Sequence, residues 1–401
     1  MHPTQVLHTL LKKSVPFIHA KRLTALIAAV DSVLSGASVS ITGLGRYLPG
    51  EAFLKHKIKR MDRLMGNAHL MQERIAIYRL LTHRLLRGLA RPLIVIDWSD
   101  LTPDQEWQLL RAALPVGGRS LTLYEEIHPR SKLGNRKIQH RFLTTLQRLL
   151  PASVCPIVIA DSGFRVPFFQ AVEQLRWHWL GRIRNRDFVT FDADRSDPDW
   201  FPAKRLYRHA TKTPRHLGHV EWVRKHPLSG RLVTVAPKPQ GRIEKNRLGL
   251  SAQANRSRKN AAREKEPWLL VASPSLSALS AKLIVRLYRC RMQIEEGFRD
   301  TKSNSYGLAL AQQSRIQPER LANLLLIAAL ATFLLWLIGE CAKDTPAAKA
   351  AQVNTVSKRS VYSAVFLARI LLQHTDFRIS QKNILYSRQF ITRYYDRLFT
   401  P

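Results

Sequence analysis

Cysteine is nearly missing from this chain: Cys155, Cys290 and Cys341 are its only three, and no two stand at C-x-x-C spacing. That argues against a disulfide framework and a thiolate zinc site, and it suits a reducing cytoplasm. Acidic residues are also scarce, with 29 Asp and Glu against 64 Lys and Arg and a formal charge of +35. Such an excess is larger than a solvated surface needs and predicts a polyanionic partner, nucleic acid first. A membrane surface fits less well, because the basic residues are spread along the whole chain and not gathered on one amphipathic helix. The N-terminus lacks the apolar core of a signal peptide, its first apolar stretch being broken by Lys12 and Lys13. One long apolar run exists, Leu324–Ile338, interrupted only by Thr332. It falls short of the ~20 residues of a membrane span and reads as a helix buried in a core.

What is present has an order along the chain. Residues 1–90 read as a helical, basic DNA-binding domain. Leu23, Ile27, Val30, Val33 and Leu34 recur at helical spacing. Thr42 is expected to cap a short helix, Gly43–Leu48, which Pro49-Gly50 ends. A strongly basic helix, Leu54–Leu64, follows and carries Lys55, Lys57, Lys59 and Arg60. Helix, turn, short helix and basic helix resemble a helix-turn-helix unit, and this last helix is the expected source of base contacts. Residues 91–195 alternate strands (to Asp97, Gly118–Ile127, to Asp161, Leu180–Val189) with helices (Lys137–Leu150, Phe168–Leu175), the pattern of an α/β domain with a mixed sheet.

Residues 196–265 interrupt that alternation. Between 201 and 265 there are 17 Lys and Arg but three Glu, and short strands are expected near Glu221–Val223 and Arg231–Val235. This predicts a basic, β-rich insertion facing DNA, ending in a disordered basic loop at Asn255–Lys265. The core resumes over 266–340, with a strand at Trp268–Ala272 and one long helix from about Ser277 to Lys302. Residues 341–401 form a helical region with a basic face.

The chemistry concentrates on carboxylates. The apolar runs Leu93-Ile94-Val95-Ile96 and Ile157-Val158-Ile159-Ala160 each end in aspartate, Asp97 and Asp161. Ligand sites of α/β sheets collect at strand carboxyl ends. Two anions held there repel and call for a cation; magnesium suits such hard oxygen donors. Either aspartate alone also suits a helix cap or turn, as does Asp100. At about 100° per residue, Tyr288, Arg291, Glu295 and Lys302 share a stripe about 60° wide on the expected helix. Glu295 is then the third carboxylate of a two-metal phosphoryl-transfer site, and its neighbours grip phosphates. Glu296 points about 100° away and is the weaker candidate.

The pattern Tyr-x-x-Arg-x-x-x-Glu-x-x-x-x-x-x-Lys formed by these four residues resembles the signature of the bacterial insertion-sequence transposases with a DDE triad. Val95-Ile96-Asp97-Trp98-Ser99-Asp100, Gly118–Glu125, Asp161-Ser162-Gly163-Phe164 and Arg291–Asp300 extend the likeness over nearly the whole chain. It is greatest to the branch that includes the cut-and-paste transposase of the composite tetracycline-resistance transposon. The resemblance implies an RNase H-like core with Asp97, Asp161 and Glu295 as catalytic and metal-binding triad. Its cofactor would be two Mg²⁺ ions, with Mn²⁺ able to substitute. It further implies nicking and a hairpin at the element's ends, joining to target DNA, a homodimer on double-stranded DNA, and a cytoplasmic, nucleoid-associated protein. A tryptophan of the insertion holds a flipped base in such enzymes; Trp222 and Trp200 are the candidates here, and a core position is the alternative for each. A metal-dependent nuclease on the same core and a non-catalytic repressor are the alternatives.

Overall fold

The computed structural model of the protein describes residues 2–185, 187–239, 250–251, 253–255, 262, 265–305, 307–310, 316–351, 361–374 and 381–400. The chain opens with five helices, α1 (Pro3–Ser14), α2 (Ala20–Leu34), α3 (Ile41–Arg46), α4 (Leu54–Met65) and α5 (Ala68–Leu86). Strands β1 (Leu93–Asp100), β2 (Trp107–Pro115) and β3 (Ser120–Pro129) lead into α6 (Arg136–Leu149), β4 (Ile157–Ala160), α7 (Val166–Gln174), β5 (His178–Ile183) and β6 (Phe188–Thr190). Next come β7 (Phe201–Pro202), β8 (Arg215–Trp222), β9 (Leu228–Val235), β10 (Trp268–Ala272), α8 (Ala281–Arg289) and α9 (Met292–Lys302). The described chain closes with α10 (Pro318–Ala342), α11 (Pro346–Ala350), α12 (Ala364–His374) and α13 (Gln381–Phe399).

Contacts divide the chain into two units, one running to Val154 and resuming over Met292–Thr400, the other Cys155–Arg291. These are not the five consecutive domains, 1–90, 91–195, 196–265, 266–340 and 341–401, expected from composition. The N-terminal helices and the C-terminal ones share one core, which a reading along the chain separates. The expected insertion is also not self-contained, because its strand β9 hydrogen-bonds along its length to β10, a strand assigned to the core. Most of the basic loop at Asn255–Lys265 lies outside the described residues.

In the first unit β1, β2 and β3 form an antiparallel meander. Strand β2 was not anticipated. Its sequence, Trp-Gln-Leu-Leu-Arg-Ala-Ala-Leu-Pro, lacks β-branched residues and buries eight consecutive positions, so no alternation marks it. The apolar run in the C-terminal third becomes α10, whose residues Leu324–Ala331 are all buried, apolar all round as a core helix must be. This helix packs against α1, α2, α4, α5, α12, α13 and β3. At its start Asn323 is fully buried and donates to the Met65 carbonyl at 2.8 Å, while Arg320 pairs with Asp62 at 2.6 Å. The end of α4 is thereby satisfied by a side chain 258 residues away.

Glycine 339 sets the approach of α12: a Cβ there would lie 1.9 Å from the Ala364 carbonyl oxygen. Backbone cannot yield as a flexible side chain can. We expect Gly339→Ala to lower stability by on the order of 2–3 kcal/mol, the upper range for overpacking, read as a fall in urea midpoint. An unchanged midpoint would show that the two helices can separate without cost.

The second unit holds a seven-stranded run, β4-β5-β10-β9-β8-β6-β7. Only β4 and β5 are parallel; they are joined through α7. The other pairings are antiparallel. Its core gathers Phe169, Trp179 and Trp222, with ring centroids 5.0 and 5.5 Å from Phe169.

Candidate active site

The apolar stretch before Asp97 forms β1, but the strand does not end there. Pairing with β2 continues through Trp98, Ser99 and Asp100, so Asp97 is its fifth residue of eight. What changes at Asp97 is burial: the four residues before it are buried, Trp98 and Ser99 after it are partly exposed and Asp100 is exposed. Its Oδ1 accepts the Trp98 N–H at 2.8 Å, which fixes the carboxylate's rotation. Asp100 is engaged by Gln108, whose Nε2 donates to it at 2.9 Å.

Register places Asp97 opposite Arg111, and Arg111 opposite Glu125, in one row across the meander. Arg111 and Glu125 are both buried and form an ion pair of 2.7 Å. Tyr78 of α5 donates to the second Glu125 oxygen at 2.9 Å, and the Arg111 guanidinium reaches Thr301 Oγ at 3.3 Å. Phe298 lies 5.0 Å from that guanidinium. Thr301 and Phe298 belong to α9, so this buried charge row is the floor on which α9 rests. Arg111 was missed as a site-forming residue; the signal was a lone arginine inside the apolar run of 109–114.

Helix α9 is fixed at both ends. Gln293 accepts the N–H groups of Val116 and Gly117, both at 3.1 Å. Gly297 permits close approach, since a Cβ would stand 2.7 Å from Ser120 Oγ. Lys302 Nζ donates to Ser99 Oγ at 2.7 Å and to the Asp100 carbonyl at 2.9 Å. Burial pushes its pKa down, with Asp100 acting in the opposite direction. Glu295 is exposed and precedes Lys302 by seven residues, which turns it only about 20° around the helix. The edge of α9 that carries Glu295 is therefore the one from which Lys302 reaches β1.

Beside this helix Arg119 approaches Asp300 to 2.7 Å, although the pair is not aligned for a hydrogen bond. Burial raises the Asp300 carboxyl to about 6 and outweighs Arg119, which acts to lower it. A raised carboxyl pKa means the folded state holds the proton where the unfolded chain has lost it. Its stabilising contribution is complete below about 4 and is lost as pH rises through about 6. We expect Asp300→Asn to flatten the dependence of melting temperature on pH across that window; an unaltered pH profile would remove Asp300 as its source.

Tyr288 and Arg291 do not ride the same helix as Glu295 and Lys302, contrary to the single stripe expected. Helix α8 stops in two tight i→i+3 bonds, Cys290 N–H to Leu287 O and Arg291 N–H to Tyr288 O, both 3.0 Å. Helix α9 starts afresh at Met292, and the break coincides with the boundary between the units. The 100° rotation per residue cannot be carried across it. Tyr288 is buried, its ring 5.3 Å from Trp268, and Arg291 lies in the break with its guanidinium 6.0 Å from the Tyr288 ring.

In the second unit Asp161 follows the last residue of β4. Its Oδ1 accepts the Gly163 N–H at 2.8 Å, so the half-buried Asp161 forms the turn into α7. Trp222, put forward for a flipped base, is 1% exposed and packs on Phe169, so no base can stack on it without unpacking the core. Trp200 is partly exposed, and its carbonyl accepts from Arg224.

In the N-terminal region α3 begins earlier than expected, capped by Ser40 rather than Thr42; Ser40 Oγ accepts the Gly43 N–H at 2.9 Å. On α4 Lys55, Lys59 and Arg60 are exposed and Lys57 is half-buried, with Met61, Leu64 and Met65 packed beneath. Lys59 also pairs with Asp62 at 3.1 Å.

Asp97 and Glu295 belong to the first unit and Asp161 to the second. Among the described residues no group of three His, Cys, Asp or Glu side chains is close enough to hold one metal ion. The donor chemistry nevertheless suits a hard divalent cation: all three are carboxylates, and two have one oxygen fixed by a backbone N–H. Compared with known proteins, residues 89–334 match the family described as Transposase DDE domain, more than half of the chain. No curated protein matches.

Proposed function

The chain belongs to the transposases with a DDE domain, and from that premise we propose that it cleaves DNA at the ends of an insertion sequence and joins the 3′-hydroxyl ends to target DNA. The match over residues 89–334, which embraces all three carboxylates, carries this reading. Support comes from the meander β1–β3, which with the parallel pair β4–β5 supplies the strand types of an RNase H-like core. The tie from Lys302 to the end of β1 adds to it.

In this proposal Asp97, Asp161 and Glu295 hold two Mg²⁺ ions, Mn²⁺ being a substitute. The chemistry such ions supply is activation of the attacking oxygen and stabilisation of the leaving one. Asp97 and Asp161 each present a carboxylate with one oxygen fixed by backbone, which sets the rotation of each side chain within its own unit. Lys302 holds the Glu295 edge of α9 to β1 and, with Arg291, neutralises DNA phosphate. Tyr288, buried beside Trp268, aligns Arg291 and offers a phosphate only its hydroxyl. Lys55, Lys57, Lys59 and Arg60 contact the element's ends as a helix-turn-helix. Cut-and-paste movement through a hairpin, action as a homodimer, and a cytoplasmic location on the nucleoid complete the proposal. The hairpin step rests only on the resemblance of the Tyr288, Arg291, Glu295 and Lys302 pattern to the insertion-sequence transposases.

Incubation with supercoiled DNA carrying the element's ends and Mg²⁺ is expected to yield joined products. Nicking without joining would favour a nuclease, and binding without either would favour a repressor. We also expect Lys302→Met to reduce cleavage roughly tenfold or more, as a positioning defect. Cleavage at the wild-type rate would show that the tie to β1 is incidental.

A further inference from the structure

Helix α4 is anchored on one side and bare on the other. Met61, Leu64 and Met65 are buried, and Gly45 of α3 comes so close that a Cβ would meet Ile58 Cα at 2.6 Å. The opposite side presents Lys55, His56, Lys59, Arg60 and Arg63, all exposed, on an arc roughly 140° wide; Asp62 stands at its edge, where it pairs with Lys59. Directly before this arc stands Phe53, 74% exposed, the most exposed large hydrophobic side chain among the described residues; Leu54 beside it is 49% exposed. The Phe53 ring lies 6.1 Å from His56, and its carbonyl accepts the His56 and Lys57 N–H groups at 2.9 and 3.2 Å. The first turn of α4 thus holds the backbone of Phe53 while its ring projects into water.

An isolated exposed phenylalanine needs no explanation. One held at the head of a mainly cationic arc does, because that arc selects what can cover it. We propose that Phe53 is a wedge that stacks against a DNA base step while Lys55, Lys59 and Arg60 hold the flanking phosphates. The proposal rests on the reading of α4 as a DNA-contacting helix. Apolar side chains inserted beside basic ones unstack and kink duplex DNA. Stacking is sequence-tolerant, since every base offers a π face, so a random-sequence duplex reports it.

The two contributions separate by salt. A phosphate contact changes the slope of log affinity against log salt by roughly 0.9, whereas an apolar contact leaves it unchanged. Binding of the full chain to a random-sequence duplex carrying a fluorescent base analogue measures both affinity and unstacking. Phe53→Ala is expected to weaken binding about tenfold at constant slope and to abolish the analogue's brightening, and Phe53→Trp to restore both. Lys55→Gln is expected to flatten the slope. Wild-type affinity and brightening with Phe53→Ala, alongside a flattened slope with Lys55→Gln, overturns the wedge and leaves the helix at the DNA. An unchanged slope with both Lys55→Gln and Lys59→Gln overturns the reading of α4 itself. Phe53 is exposed, so the variant's melting curve should match wild type and exclude misfolding as a cause.

Discussion

Alanine at Asp97, Asp161 or Glu295 is expected to abolish strand cleavage, by on the order of a thousandfold or more, while a gel shift still shows DNA bound. The separation follows from charge. Each substitution removes one negative charge from a chain of formal charge +35, so long-range attraction to DNA is intact or slightly stronger. On the proposed reading, what is lost is a ligand for the cation whose chemistry would act on the reacting oxygens. If the three residues act as the proposed set, a double substitution should cost little more than a single one. Full cleavage by Glu295→Ala would remove Glu295 from the triad, and Glu296, on the neighbouring face of α9, would be the residue to test next.

The second large effect is on folding. Glu125→Ala should destabilise the protein by about 3–5 kcal/mol, because it strands Arg111 as a buried charge. Side-chain exposure is 4% for Arg111 and 1% for Glu125, so water cannot replace the lost partner. Tyr78→Phe removes only the hydrogen bond to Glu125 and should cost about 1 kcal/mol. Replacing Arg111 and Glu125 together by apolar residues of similar size should recover most of the loss. Chemical denaturation of the three variants reads this directly. Equal costs for Glu125→Ala and the double replacement would mean that the charge row does not act as a unit.

Much of this was legible in the sequence. Helix α6 lies within a residue of its expected bounds, and α2 carries the expected spaced residues Leu23 to Leu34, since each buries one stripe of regularly spaced apolar residues. The strands before Asp97 and Asp161 are equally clear, because uninterrupted β-branched runs have few other uses. Strand β2 was hidden by the absence of alternation. The break at Cys290–Arg291 was hidden because neither residue is a helix breaker, yet the backbone closes there in two i→i+3 bonds. Trp222 illustrates a further limit: composition marks it as an aromatic in a basic region, and only burial shows that it is core.

The first unit also bears on how the chain comes off the ribosome. Helices α1, α2, α4 and α5 pack against α10, which is made more than 230 residues after α5 ends. Until α10 emerges, those helices lack the partner that covers their apolar faces, and the carbonyl of Met65 lacks the Asn323 amide. Local helices can form early, but their shared core cannot close. An N-terminal fragment should therefore be open to proteolysis and a poor competitor for DNA, so that capacity to grip an element's end arises late, when nearly the whole polypeptide has been synthesised.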